Sequence, residues 1–229
     1  RAIGQVECIS VAAGRSTGNA QSLGPRISAD GRYVVFSSDA TDLVAADTNG
    51  VRDVFVRDRA TATTVHASVS TSGVQGDGDS ASSIFAGGGP PHHSPFTVDI
   101  SADGRFVAFE SLATNLVPGD TNARMDVFVR DLAAGTTERV SLGAGGAQNP
   151  QDSRYARISA DGGRVLFWSL GQLAPNDTNS VIDVYVRDRS AATTTCVSVP
   201  LGAVQNVGAS FALDISADGR SALVFSINQ

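Results

Sequence analysis

The string Ile-Ser-Ala-Asp-Gly occurs four times, starting at Ile27, Ile100, Ile158 and Ile215. A repeat of this kind restricts the fold more than any single motif does. The steps are 73, 58 and 57 residues, so the first interval is a regular unit with about 15 residues added. Three further strings recur in the same order. An apolar run follows each Asp-Gly: Arg32-Tyr-Val-Val-Phe-Ser, Arg105-Phe-Val-Ala-Phe-Glu, Arg164-Val-Leu-Phe-Trp-Ser and Arg220-Ser-Ala-Leu-Val-Phe-Ser. Then come Asp47-Thr-Asn49, Asp120-Thr-Asn122 and Asp177-Thr-Asn179, each leading into an alternating segment, Asp53–Asp58, Asp126–Asp131 and Asp183–Asp188. A Thr-rich segment closes each unit at Val65–Val69, Thr137–Leu142 and Thr194–Val199.

Each unit reads as four short strands, a to d, rich in Val, Ile, Phe and Thr and separated by Gly, Asp, Asn and Ser turns. No segment sustains a helical period. Four antiparallel strands repeated about an axis make a β-propeller, which leaves only short, protected sheet edges. The expected fold is all-β, a propeller of four-stranded antiparallel blades with three complete blades plus two partial ones. The repeat units lie near 27–69, 100–142, 158–199 and 215–229, with a loop insertion at about 81–95. Val6–Val11 matches strand d, so the chain opens on the last strand of a unit and closes after a fourth strand b. That arrangement reads as one domain over 1–229 or a piece of a larger ring, with four-blade closure as the alternative. Open blade edges would favour self-association.

The Ser-Ala-Asp-Gly-Arg turn, the Tyr-Val-Val-Phe-Ser strand and Asp-Val-Phe-Val-Arg-Asp together resemble the TolB-like β-propellers, over nearly the whole chain outside the insertion. The resemblance implies a propeller fold and an exported bacterial protein, periplasmic or secreted. Members of that family serve as periplasmic scaffolds, as propeller domains of serine peptidases, and as lyases. A shared fold does not choose among these.

Charge narrows the partners. All 17 basic residues are arginine, 20 of the 23 acids are aspartate, and the net charge is −6, which argues against nucleic acid. No apolar run reaches the length of a membrane span. Cys8 and Cys196 fall at equivalent places on outer strands of different blades, too far apart for a disulfide, so both are expected as free thiols. The same alignment puts His66 and Arg139 beside them and predicts a partly exposed outer-strand position.

Antiparallel alternation places the b-to-c and d-to-a loops on one face, where propellers carry binding residues. On that face the d-to-a loops contribute Gln75, Gln148, Asn149, Gln205 and Asn206 as candidate ligand-binding residues. The insertion, assigned to the same face, adds His92 and His93, a pair suited to metal binding or acid–base chemistry. Asp47, Asn49 and Asp53, like Asp120, Asn122, Asp126 and Asp177, Asn179, Asp183, present several hard oxygens from one loop, the donor type calcium takes. The reading preferred for the same residues is Asx-turn chemistry, with calcium and direct ligand contact as the alternatives. Arg57, Arg130 and Arg187 are expected to pair with aspartates of the neighbouring blade. Gly14-Arg-Ser-Thr-Gly18 spells a nucleophile-elbow string, but it lacks the strand-to-helix setting that motif needs. The functional expectation is a non-catalytic scaffold that binds a protein or glycan through the Asp-Thr-Asn face. The alternative is the propeller part of a lyase or hydrolase using His92 or His93.

Overall fold

A computed structural model describes residues 4, 6–12, 16–81, 98–199 and 208–227. Strands β1 (Ser22–Ile27), β2 (Tyr33–Ser38), β3 (Asp53–Asp58) and β4 (Thr63–His66) form one antiparallel sheet in that order. The second sheet is β5 (Val98–Ile100), β6 (Phe106–Ser111), β7 (Asp126–Asp131) and β8 (Thr136–Arg139). The third is β9 (Ser153–Ile158), β10 (Arg164–Ser169), β11 (Asp183–Asp188) and β12 (Thr193–Cys196), and β13 (Ser210–Ile215) pairs with β14 (Ala222–Ser226). Successive sheets pack face to face with β1, β5, β9 and β13 innermost, giving three whole blades and half of a fourth.

The core lies between blades. Side chains alternate across a strand, so Val107 and Phe109 of β6 face blade 1 while Ala108 faces blade 3. Both faces of the middle strands are therefore buried, which is why they read as continuous apolar runs. Burying one such Val or Phe contributes about 1.5–3 kcal/mol.

The Ser-Ala-Asp-Gly turns do more than reverse the chain. Ser28 Oγ donates to Asp30 Oδ1 (2.6 Å) and accepts the Tyr33 N–H (2.9 Å), and the pattern repeats at Ser101, Ser159 and Ser216. Backbone bonds then link the turns of successive blades, from Ala29 N to Ala102 O, Ala102 N to Ala160 O and Ala160 N to Ala217 O (2.8–3.0 Å). Gly104 and Gly162 sit at φ 76° and 72° beneath the rings of Tyr33 and Phe106, where a Cβ would lie 2.0–2.1 Å from a ring carbon.

Several expectations need correction. Strand d ends about three residues earlier than the Thr-rich runs suggest. The reason is that Ser68, Ser141 and Ser198 Oγ accept the N–H of Val54, Val127 and Val184, replacing ladder pairing with side-chain bonds. Arg57, Arg130 and Arg187 bond to Thr64, Thr137 and Thr194 of their own blades, not to neighbouring aspartates. The ion pairs fall instead on Arg32–Asp58 (2.7 Å), Arg105–Asp131 (2.7 Å) and Arg164–Asp188 (3.3 Å), joining strand b to the end of strand c. Arg105 holds the Asp131 carboxyl down to about 2.

Residues 6–12 form no named strand, yet Glu7 reaches Arg59 (2.8 Å) as Glu138 reaches Arg189 (2.6 Å). They stand where the outermost strand of a preceding blade would. The insertion breaks the innermost strand of blade 2 and does not lie in the loop before it. Ser80 bridges Ser111 as Ser22 pairs Ser38, and Val98 resumes the pairing with Phe109. Blades 1 and 3 carry a β-bulge at that point, with Gly24 and Tyr155 at φ 59° and 63°. Cys8 and Cys196 are both free.

Candidate functional site, the loop rim and the inner strands

The loops after strands b and d meet at one end of the blades, as the alternation predicts. The Asn49 amide donates to Asp53 Oδ2 (2.8 Å) and to Gly76 O (3.0 Å), tying the b-to-c loop to the d-to-a loop. Asn122 repeats this with Asp126 (2.9 Å) and Asn149 O (2.7 Å). The Asn carbonyls accept Val51, Arg124 and Val181 N–H groups in Asx turns. Asp53, Asp126 and Asp183 each accept the hydroxyl of Ser68, Ser141 or Ser198 at 2.5–2.7 Å.

The first aspartate of each set meets a different partner. Asp120 faces Arg139 (3.1 Å) and accepts Gln148 Nε2 (3.0 Å), and Asp177 accepts the Tyr185 hydroxyl. Asp47 lies beside Asp53 and His66, and His66 Nε2 is 2.8 Å from Asp53 Oδ1 with its ring stacked on Phe55. Burial raises the carboxyls of Asp47, Asp120 and Asp126, and the charge of Arg139 offsets part of that for the last two. The position shared by Cys8, His66, Arg139 and Cys196 runs from exposed at Cys8 through partly buried at His66 and Arg139, whose side chains are 9% and 8% accessible, to buried at Cys196. It lies directly under the loops and supplies their partners. Among the described residues, no three His, Cys, Asp or Glu side chains converge as a metal-ligating set.

Of the candidate binding residues, Gln75 and Gln148 bond to Thr48 and Thr121 at the rim. Asn149 is fully buried, donating to Ser153 and Ser169 hydroxyls. Gln205, Asn206, His92 and His93 lie outside the described residues, as do Gly14 and Arg15 of the elbow-like string. Further links fix the rim: Thr114 to Asp77 (2.7 and 2.8 Å) and Asn115 Nδ2 to Gln75 O (2.8 Å). Thr48, Thr121 and Thr178 remain exposed at matched places.

A second constellation sits on the inner strands, and no motif had pointed to it. The residue immediately before each repeated Ile-Ser-Ala-Asp-Gly string is Arg26, Asp99, Arg157 or Asp214, so charge alternates around the inner strands. Asp99 accepts the Ile158 N–H (3.0 Å), is raised by burial, and is countered by Arg157 and Arg26. Arg157, 1% accessible, stacks over Tyr155 at 4.1 Å. Glu110, 2% accessible, accepts the Tyr155 N–H (2.8 Å), and burial pushes its carboxyl up to about 7. Comparing the residue before each repeat would have found the charged set, and Glu110 stands out as the one acid inside a strand-b run.

No protein-family model matches the chain, and no curated protein matches it. Solved structures do. A prolyl endopeptidase superposes over 91% of this chain with a TM-score of 0.50 at 12% identity. That likeness agrees with the blade-by-blade geometry. The fold is a β-propeller. The propeller is also similar to a TolB protein of Agrobacterium tumefaciens (15% identity, TM-score 0.49, 92% of this chain). An acylaminoacyl peptidase of Pyrococcus horikoshii is a further match (13% identity, TM-score 0.45, 86% of this chain). The chain spans 59%, 26% and 27% of the TolB, endopeptidase and acylaminoacyl peptidase chains. No helix among the described residues is long and apolar enough to cross a membrane.

Proposed function

We propose that this propeller is a non-catalytic binding module that holds a protein or glycan against the rim of b-to-c and d-to-a loops. The observation that carries the reading is the mutual locking of those loops. Asn49, Asn122, Gln75, Gln148 and Asp77 fasten one loop to the next, while Thr48, Thr121 and Thr178 face solvent in register. A polar surface fixed before a ligand arrives loses little entropy on binding. The likeness to TolB supports a scaffold role outside the cytoplasm, periplasmic or secreted, and the likeness to peptidases supports a propeller that serves an attached enzyme.

The test is a screen of the purified protein against glycan and peptide arrays, repeated with the triple variant Thr48→Lys/Thr121→Lys/Thr178→Lys. Thr48 and Thr121 also bond to Gln75 and Gln148 through their hydroxyls, so a melting curve, and the single variant Thr178→Lys beside the triple one, separate a lost contact from a loosened rim. A ligand retained by the native protein and lost by the variant is the expected result. Equal retention by both would remove the rim from the proposal.

A further inference from the structure

The junction of blades 1 and 2, walled by two complete four-stranded sheets, departs from the junctions on either side of it. Between blades 2 and 3, Arg189 donates to Glu138 (2.7 Å) and lies over the Phe106 ring (4.5 Å). Arg59 and Glu7 make the same pair (2.8 Å) on the other side of blade 1. Between blades 1 and 2 both members change together. Leu132 stands where Arg59 and Arg189 stand, and Val65 stands where Glu7 and Glu138 stand. Tyr33, Val56, Val65 and Leu132 wall a groove of about 360 Å³ there. That is the lower end of the range for pockets that hold small molecules.

A cation is left over in the same groove. Arg130 Nη1 donates to Ser70 O (3.1 Å) and Thr137 Oγ1 (3.0 Å), which fixes the guanidinium. Its Nε is buried without a hydrogen-bond partner among the described residues, and Nη2 makes no hydrogen bond among them either. Through that same Nε–Nη2 edge Arg32 and Arg105 each hold an aspartate. At the junction of blades 2 and 3 the place of Arg130 is taken by Arg187, which feels the charge of Glu138. Val65 removes that carboxylate from Arg130. The acid that does line the groove, Asp58, is engaged by Arg32 (2.7 Å), and Asp131 beside Arg130 is engaged by Arg105 (2.7 Å).

We infer that this groove binds a small carboxylic acid with an apolar body. Its carboxylate meets Arg130 Nη2, as the Glu138 carboxylate serves the next junction, and its body lies against Tyr33, Val56, Val65 and Leu132. A guanidinium fixed beforehand makes a strong charge-assisted bond to a carboxylate, and burial of the body adds a hydrophobic contribution. Asp58, Thr63 and Leu132 place the groove beside the c-to-d turns, at the opposite end of the blades from the rim. The inference is independent of the rim proposal.

The probe is 3-phenylpropionate, titrated against the full chain by ligand-observed NMR, with 3-phenylpropionamide and acetate as controls. Saturable binding of the acid with a Kd of about 1 mM or below is expected. Each control should bind at least about tenfold more weakly, since one lacks the charge and the other the apolar body. Arg130→Gln should weaken the acid by a similar factor. Because Arg130 also braces Ser70 and Thr137, a second variant decides the matter. Val65→Glu/Leu132→Arg rebuilds the ion pair of the neighbouring junction and keeps Arg130, so it should melt no lower than the native protein and lose the acid. Failure of the native protein to bind the acid overturns the inference. So does equal binding of the amide, or retention of the acid by the folded Val65→Glu/Leu132→Arg variant.

Discussion

Replacing Glu110 by glutamine should raise the melting temperature at pH 8 and leave it nearly unchanged at pH 4.5. The carboxyl is buried between blades 2 and 3 and pushed up to about 7 from an ordinary 4.5. Between those values the folded protein keeps a proton that the unfolded chain releases, so this group makes stability fall as pH rises. By pH 8 the loss is nearly complete, about 3 kcal/mol. For a chain of this size that is about 5–10 °C in melting temperature. Glutamine keeps an acceptor for the Tyr155 N–H while removing the charge. Glu110→Leu removes both and leaves a buried donor unsatisfied, costing about 1–3 kcal/mol at every pH. Melting curves of the three proteins from pH 4.5 to 8 decide the matter. Parallel pH profiles for native and Gln forms would contradict the assignment of the proton to Glu110.

Gly104→Ala should be among the most damaging single-methyl changes in the chain. Its φ of 76° disfavours any side chain, and the new Cβ would lie 2.0 Å from the Tyr33 ring. The backbone term costs about 1–2 kcal/mol and the overpacking about 1–3 kcal/mol more. The control is Gly50→Ala, with φ 69° and open space around the added methyl, which should show the backbone cost alone. Adding Tyr33→Ala to Gly104→Ala should recover the packing part, a coupling that a double-mutant cycle measures. Denaturant unfolding of these three variants and of Tyr33→Ala alone gives the values. Equal losses at Gly50 and Gly104 would mean that the Asp-Gly turns do not carry the blade-to-blade packing described above.

Strands b and c were legible because both faces are buried, so apolar residues run without interruption through Val34-Val-Phe36 and Val54-Phe-Val56. The turns were legible because Asp-Gly needs positive φ. Strand d was misplaced because its Thr-rich composition continues past the last ladder pair into residues whose serines bond to strand c instead. His66, Arg139 and Cys196 looked like an outer, tolerant position, since three unlike residues share it. In fact each meets a local environment set by its loop: Asp53 for His66, Asp120 and Asp126 for Arg139, and the Ser198 hydroxyl for Cys196. The pairing of Arg57 was misjudged because sequence shows which charges alternate and not which way a strand face turns; Thr64 lies across the ladder from it. The shared rim followed from strand alternation alone, whereas the inner charged set needed the register of four separate strands.

Thermal unfolding in EDTA against millimolar calcium shows whether side-chain hydrogen bonds alone close the Asp-Thr-Asn loops. Asp53, Asp120, Asp126, Asp177 and Asp183 already take bonds from serine, asparagine, arginine, histidine, glutamine or tyrosine, so the midpoint should be the same in both solutions. Calcium at 100 times its dissociation constant would stabilise the fold by about 2.7 kcal/mol. A rise of about 5–10 °C in calcium would contradict the account and make these loops metal sites.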